Sequence, residues 1–151
     1  MHDFGLENLS CFGLDPADFV RLGADLGCSH VSLNLSGAAN VLDGRQRPCL
    51  REDAALRREA LAALRATGVR VSLLEGLTIA PGGCAADLAP QLDIAAELGA
   101  GAVCVVAMER DRPRAYAEIA ALSELAAARG IERFASRQNS SRKQVFKSSD
   151  I

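Results

Sequence analysis

A helix-like stretch that stops at a glycine and gives way to an apolar, β-branched run occurs four times along this chain. It reads Leu22 to Gly27 and then Val31 to Leu35, Leu61 to Gly68 and then Val69 to Leu74, and Ile94 to Gly99 and then Ala102 to Val106. A fourth copy starts at Leu122 and reaches Gly130-Ile131. The stop glycines at 27, 68, 99 and 130 lie 41, 31 and 31 positions apart. Glycine is the residue expected just past a helix end, because it adopts a left-handed backbone without steric penalty. A period of about 30 residues is what one strand, one crossover helix and two short loops require. The longer first spacing places an insertion after the second strand, at Ser36 to Pro48.

Helix starts fit the same scheme. Asp15 stands before Pro16, with the proline at the first helical position, where its missing N–H costs little. Asp87 precedes Pro90, and Asp111 precedes Pro113, in a similar way. Leucines 56, 61 and 64 recur near helical spacing among Arg and Glu. The expected elements are strands at 8–13, 30–35, 69–75 and 102–107, and helices at 16–26, 51–67, 86–98 and 112–129. Short apolar strands alternating with helices predict an α/β fold with a parallel sheet and right-handed crossovers. The near-continuous apolar runs at 71–74 and 102–107 predict strands covered on both faces.

The 151 residues are enough for a domain with a real core, and a hydrophobic share of 49% argues against disorder for most of the chain. With no Trp and one Tyr, that core must be aliphatic. Seventeen basic against 19 acidic side chains give a formal charge of −2, which is no footprint for nucleic acid. The start, Met1 to Gly5, has no basic region leading into a long apolar run, so neither a signal peptide nor a membrane span is expected. Cysteines 11, 28, 49, 84 and 104 are odd in number and form no CxxC pair. Reduced thiols in a cytoplasmic protein are expected. Composition changes near residue 130. Both lysines, Lys143 and Lys147, lie beyond it, and Ser136 to Gln144 is polar and aperiodic. The chain is therefore divided into 1–131 and an unrelated, irregular and disordered tail at 132–151, with a junction between them.

Leu14 to Gly27 resembles the first helix of the xylose-isomerase-like barrels, the family of sugar and sugar-phosphate isomerases and epimerases. Asp93 to Ala100 is similar to the end of that family's third helix, Val103 to Val106 to its fourth strand, and Gly68 to Ser72 fits as well. The resemblance covers roughly residues 6–131. It implies the N-terminal half of a (β/α)₈ TIM barrel, since a complete one needs eight strands and about 250 residues. For the full-length family it implies a divalent metal, Mn²⁺, Mg²⁺ or Co²⁺, held by Glu, Asp, His and Glu from the last four strands. It also implies proton transfer on a sugar or sugar phosphate. None of those four ligands carries over: after Gly130-Ile131 the chain reads Glu132-Arg133-Phe134-Ala135-Ser136, so Ser136 falls near the expected first Glu. Ser32 likewise stands where many members have Glu. The expectation is a truncated, inactive member with no metal ligand of its own.

In this fold the site forms at the C-terminal ends of the strands. The residues expected there are Cys11, Phe12, Asn34, Glu75, Met108 and Glu109. Asn34, Glu75 and Glu109 are the candidate substrate-binding residues, as donor or acceptors for sugar hydroxyls. Each has a plain alternative. Asn34 can form a turn, Glu75 can be an exposed loop residue, and Glu109 can begin the helix cap with Asp111. Ala80-Pro81-Gly82-Gly83 could approach a phosphate, but without a P-loop or GxGxxG pattern a simple turn is preferred. His2 and His30 have no metal-like spacing, and no Ser/His/Asp set or other catalytic group can be assembled.

Three other readings compete. One is a non-catalytic half-barrel that binds a ligand or self-associates through open sheet edges. A complete doubly wound domain would want a Gly-rich nucleotide turn. The endonuclease branch of the family would want early His ligands and a basic face.

Overall fold

The computed structural model describes residues 4–11, 13–36, 49–138 and 143–147, those beyond 132 by their backbone. Phe12, His2 and most of the insertion expected at 36–48 lie outside the described residues. The chain forms two compact units, Met1–Leu74 and Glu75–Ile151, whereas the sequence reading divides it after residue 131.

In the first unit, strand β1 (Gly5–Leu6) is followed by a 3₁₀ turn (Asn8–Ser10), helix α1 (Pro16–Asp25), strand β2 (His30–Asn34) and helix α2 (Ala54–Thr67). Strand β3 (Arg70–Ile79) then begins. Gly5 and Leu6 pair in parallel with His30 and Val31. The strand expected at 8–13 is a correction: the true strand is two residues long and ends before it. Cys11 N–H bonds to Asn8 O and Ser10 N–H to Glu7 O, which closes a turn where a ladder was expected. Leu9 in consequence stays exposed. Residues 51–53 also lie outside α2, because Asp53 caps it and accepts from the N–H groups of Ala55 at 2.8 Å and Leu56 at 3.0 Å. The core joins Phe19 and Val20 of α1, Val31 and Leu33 of β2, and Ala63 and Leu64 of α2, all buried.

The second unit holds the end of β3, a 3₁₀ turn (Ala85–Leu88), helix α3 (Ala89–Glu97), strand β4 (Ala102–Ala107), helix α4 (Arg112–Ala127), and strands β5 (Arg133–Gln138) and β6 (Lys143–Lys147). The helix expected at 86–98 is split. Its first turn is 3₁₀, and Pro90 sits in the opening turn of α3. Leu92 of α3, Ile119 and Leu122 of α4, and Val103 and Val105 of β4 make the core. Buried positions 115, 119, 122, 123 and 126 form one face of α4.

Strands follow one another in the sheet in chain order, β1 to β6. A helix lies between each consecutive pair as far as β5, the crossover that parallel neighbours need. All four stop glycines adopt the left-handed backbone, with φ of 75° at Gly27, 73° at Gly68, 66° at Gly99 and 75° at Gly130.

Two further expectations change. The strand expected at 69–75 continues to Ile79, with a positive φ of 96° at Gly76, and Leu77 and Ile79 are buried. Glycine takes this positive φ without steric penalty, and the strand runs on through it. Where an irregular tail was expected, β5 runs parallel to β4, with Val105 opposite Ser136, and β6 pairs antiparallel with β5, with Phe134 opposite Phe146. Phe134, Val145 and Phe146 are strand-favouring residues within a polar composition. The four positions between β5 and β6 are too few for a crossover, which takes a dozen or more, so this pair can only be antiparallel.

Candidate functional site

Polar side chains gather at the C-terminal ends of strands in both units. In the first unit the centre is Ser32, 3% exposed in an otherwise apolar strand. Its hydroxyl donates to Glu7 Oε1 at 2.8 Å and accepts from the N–H of Asn8 at 2.8 Å. Each bond joins β2 to the residues directly after β1. Glu7 occupies the cap position of the 3₁₀ turn, yet its side chain makes no capping bond. Asn34, at the end of β2, accepts from the N–H of Ser36 at 2.9 Å and from its hydroxyl at 3.2 Å. That is the Asx turn considered from the sequence. Because a backbone N–H must donate to oxygen, Oδ1 faces Ser36 and the two amide hydrogens of Asn34 point elsewhere.

In the second unit the centre is Glu109, two residues past β4. Its Oε1 accepts from the N–H of Arg110 at 2.7 Å and of Asp111 at 3.0 Å. Its Oε2 accepts from the N–H of Gly82 at 3.0 Å, with Arg114 Nε at 3.6 Å. Arg114 also donates to Gly82 O at 2.8 Å, so the Gly82 residue is held through both its N–H and its C=O. These donors hold the Glu109 carboxyl below the usual range, the Gly82 bond most, then Asp111, Arg110 and the charge of Arg114. Met108 N–H donates to Ile79 O at 2.9 Å, and Glu118 accepts from Ala85 N–H at 2.7 Å. The Ala80 to Gly83 segment is a closed turn, with Gly83 N–H on Ala80 O, and the Gly82 N–H that might meet a phosphate is occupied by Glu109.

Of the three candidate binding residues, Asn34 belongs to the first unit and Glu75 and Glu109 to the second. Glu75 lies half-buried inside β3, four residues before its end, and not at the strand terminus expected for it. Glu109 lies just beyond its strand as expected, with its carboxylate in the helix-cap region. Sequence reasoning missed Glu7 and Arg114, and took Ser32 only as a departure from the family's Glu. A polar residue within the apolar run Val31 to Leu35 was the signal available for Ser32.

Among the described residues no three His, Cys, Asp or Glu side chains converge to hold a metal ion. Also among the described residues, no helix is long and apolar enough to cross a membrane. The strand faces are unequal. On β4, Val103, Val105 and Ala107 are buried while Ala102, Cys104 and Val106 stay half-buried, so the run expected to be covered on both faces is fully covered on one.

No protein-family model matches the chain, and no curated relative matches it. Solved structures do. The 3-keto-D-glucoside 4-epimerase of E. coli superposes with a TM-score of 0.62 at 15% identity, over 91% of this chain and 56% of its own. A sugar phosphate isomerase/epimerase from Parabacteroides distasonis gives 0.61 at 14% identity, over 90% and 51%. A type I 3-dehydroquinate dehydratase from Clostridium difficile gives 0.58 at 10% identity, over 91% and 50%. At such identities the likeness fixes the fold and not the chemistry. The chain spans about half the length of the structures it matches, and its fold is α/β, a partial (β/α)₈ TIM barrel with four α-helices among the described residues and parallel strands, apart from the antiparallel β6.

Proposed function

We propose that this chain is half of a carbohydrate isomerase or epimerase barrel of the xylose-isomerase-like kind, binding a sugar or sugar phosphate but inactive alone. The observation that carries this reading is the superposition of nine-tenths of the chain on about half of two structures described as sugar epimerase and isomerase/epimerase. Shifting a proton at the carbon beside a carbonyl needs a base and a group that stabilises the resulting oxyanion. In the reading, the divalent metal and its carboxylate and imidazole ligands belong to the other half, and no step is assigned to them here. This half contributes polar strand ends. In the first unit Asn34 offers amide hydrogens to a hydroxyl oxygen; in the second, taken by itself, Glu75 and Glu109 are the candidate substrate-binding carboxylates. Five free cysteines agree with a reducing, cytoplasmic setting.

The test is titration of the chain, followed by NMR, with D-fructose, D-glucose and their 6-phosphates. It is paired with a search for solvent deuterium in the sugar in the presence of Mn²⁺. Saturable binding without deuterium uptake is expected. Failure of all four sugars to bind would overturn the reading, and uptake by the chain alone would overturn its inactivity.

A second reading, self-association, is favoured by the half-buried Ala102, Cys104 and Val106 in a chain half as long as its structural neighbours. The occupant of that face would be a second copy. Of the two terminal strands of the sheet, β1 has two residues and β6 five. Sedimentation velocity over a range of concentrations is expected to give a dimer unaffected by Mn²⁺. A monomer throughout would exclude it.

A further inference from the structure

We infer that Glu7, oriented by the buried Ser32, is a ligand-binding acceptor that pairs with the Asn34 amide to hold a polyhydroxylated molecule. The inference rests on the carbohydrate reading above and adds to it a residue and a geometry. Glu7 immediately follows β1 and Asn34 ends β2, so both stand at the strand ends where sites form in this fold. The ordinary explanation of an acidic residue at a helix start is capping, and the Glu7 side chain makes no capping bond. The other ordinary explanation is a salt bridge, and among the described residues Glu7 has no basic partner. What holds it is Ser32, whose donor goes to Glu7 Oε1 and whose acceptor takes the Asn8 N–H. A hydroxyl fixed on both sides in a buried position orients one carboxylate oxygen and leaves the other as an acceptor on an exposed side chain.

Asn34 supplies the complement. Its oxygen is occupied by Ser36, so its free valence is the NH₂ donor. Residues 32 and 34 share one face of β2, about 7 Å apart along the strand. An acceptor beside Ser32 and a donor at 34 therefore present opposite polarity over the length of a small sugar. Each sugar hydroxyl is both donor and acceptor, so one hydroxyl can give its hydrogen to Glu7 while another accepts from Asn34. A carboxylate acceptor is the stronger of the two contacts, which makes Glu7 the residue whose charge matters most.

The experiment titrates D-fructose and D-fructose 6-phosphate into ¹⁵N-labelled chain and follows the Asn34 side-chain amide. Saturable shifts of that amide are expected in the wild type. Glu7→Gln should weaken binding about tenfold while leaving Tm unchanged, because Gln still accepts from Ser32. Ser32→Ala should weaken it less, and Ser32→Thr, which keeps the hydroxyl, should restore it. A merely structural role would instead lower Tm in S32A without touching affinity in E7Q. If the wild type binds the sugars and E7Q binds them equally well, or the shifts bypass Asn34, this inference alone falls. If the wild type binds neither sugar, the carbohydrate reading falls with it.

Discussion

The carboxylate of Glu109 accepts a 3.0 Å hydrogen bond from the backbone N–H of Gly82, 27 positions earlier in the chain. One side chain thereby ties the loop after β3 to the loop after β4, and Arg114 closes the tie from the other side through Gly82 O. The bond has a pH signature. Donors led by the Gly82 N–H depress the Glu109 carboxyl below its ordinary 4.5. A depressed folded-state pKa contributes stability that is fully present above the unfolded value and lost as pH falls through the folded one. Melts between pH 7 and pH 3 should show stability dropping below about 4.5 in the wild type. Glu109→Gln should melt lower at pH 7 and lose less on acidification. Parallel acid limbs in the two proteins would show that the tie carries no such linkage.

Asp15, Asp53 and Asp111 all stand at helix N-caps, but only the side chain of Asp53 makes capping bonds. Asp53→Ala should therefore cost about 1 kcal/mol, and Asp53→Asn only a few tenths. Asp15→Ala and Asp111→Ala should each stay within about 0.5 kcal/mol of wild type. Urea melts of the four variants check this, and equal losses at all three aspartates would contradict the cap assignment.

In α3 and α4, Leu92 and Leu122 are each fully buried in the second unit. Truncating either to Ala removes apolar contacts and leaves a cavity that a packed core refills only in part, so a loss of about 2–5 kcal/mol is expected. Denaturant unfolding at constant m measures it. A loss below about 1 kcal/mol at both sites would mean that these helices pack more loosely than their burial indicates.

What the sequence disclosed was whatever is local. Each stop glycine is read from its own helix, and all four take the left-handed backbone expected of them. Helices α1, α2 and α4 and strands β2 and β4 fall within three residues of their expected limits for the same reason. The failures lie where a distant partner decides. Asn8 to Ser10 turns instead of extending while the buried hydroxyl of Ser32, 24 positions on from Asn8, takes the N–H of that residue. The polar composition after residue 130 hid β5, which is placed by its register against β4. The candidate site divides along the same line. The turn at Asn34, its plain alternative, was legible because its bonds reach only two residues ahead, whereas the Glu7–Ser32 pair, 25 positions apart, left no local pattern.

Gly23 offers a close test of how α1 is seated on β2. It is buried in the helix, and a Cβ built there would come 2.7 Å from Val31 Cγ1, nearer than real Cβ atoms come to other heavy atoms. In an exposed helix, Gly→Ala would stabilise by up to about 1 kcal/mol. Here the added methyl must displace a valine that is itself fully buried in β2. Overpacking of this kind typically costs about 1–3 kcal/mol, so the net sign for Gly23→Ala is a loss. Val31→Ala alone should also destabilise, through its cavity. In the double variant the alanine at 23 occupies part of the space vacated at 31, and the two losses should sum to less than their parts by about 1 kcal/mol. Chemical denaturation of the four proteins in the cycle measures that coupling. Simple additivity would mean that α1 lies farther from β2 than this contact requires.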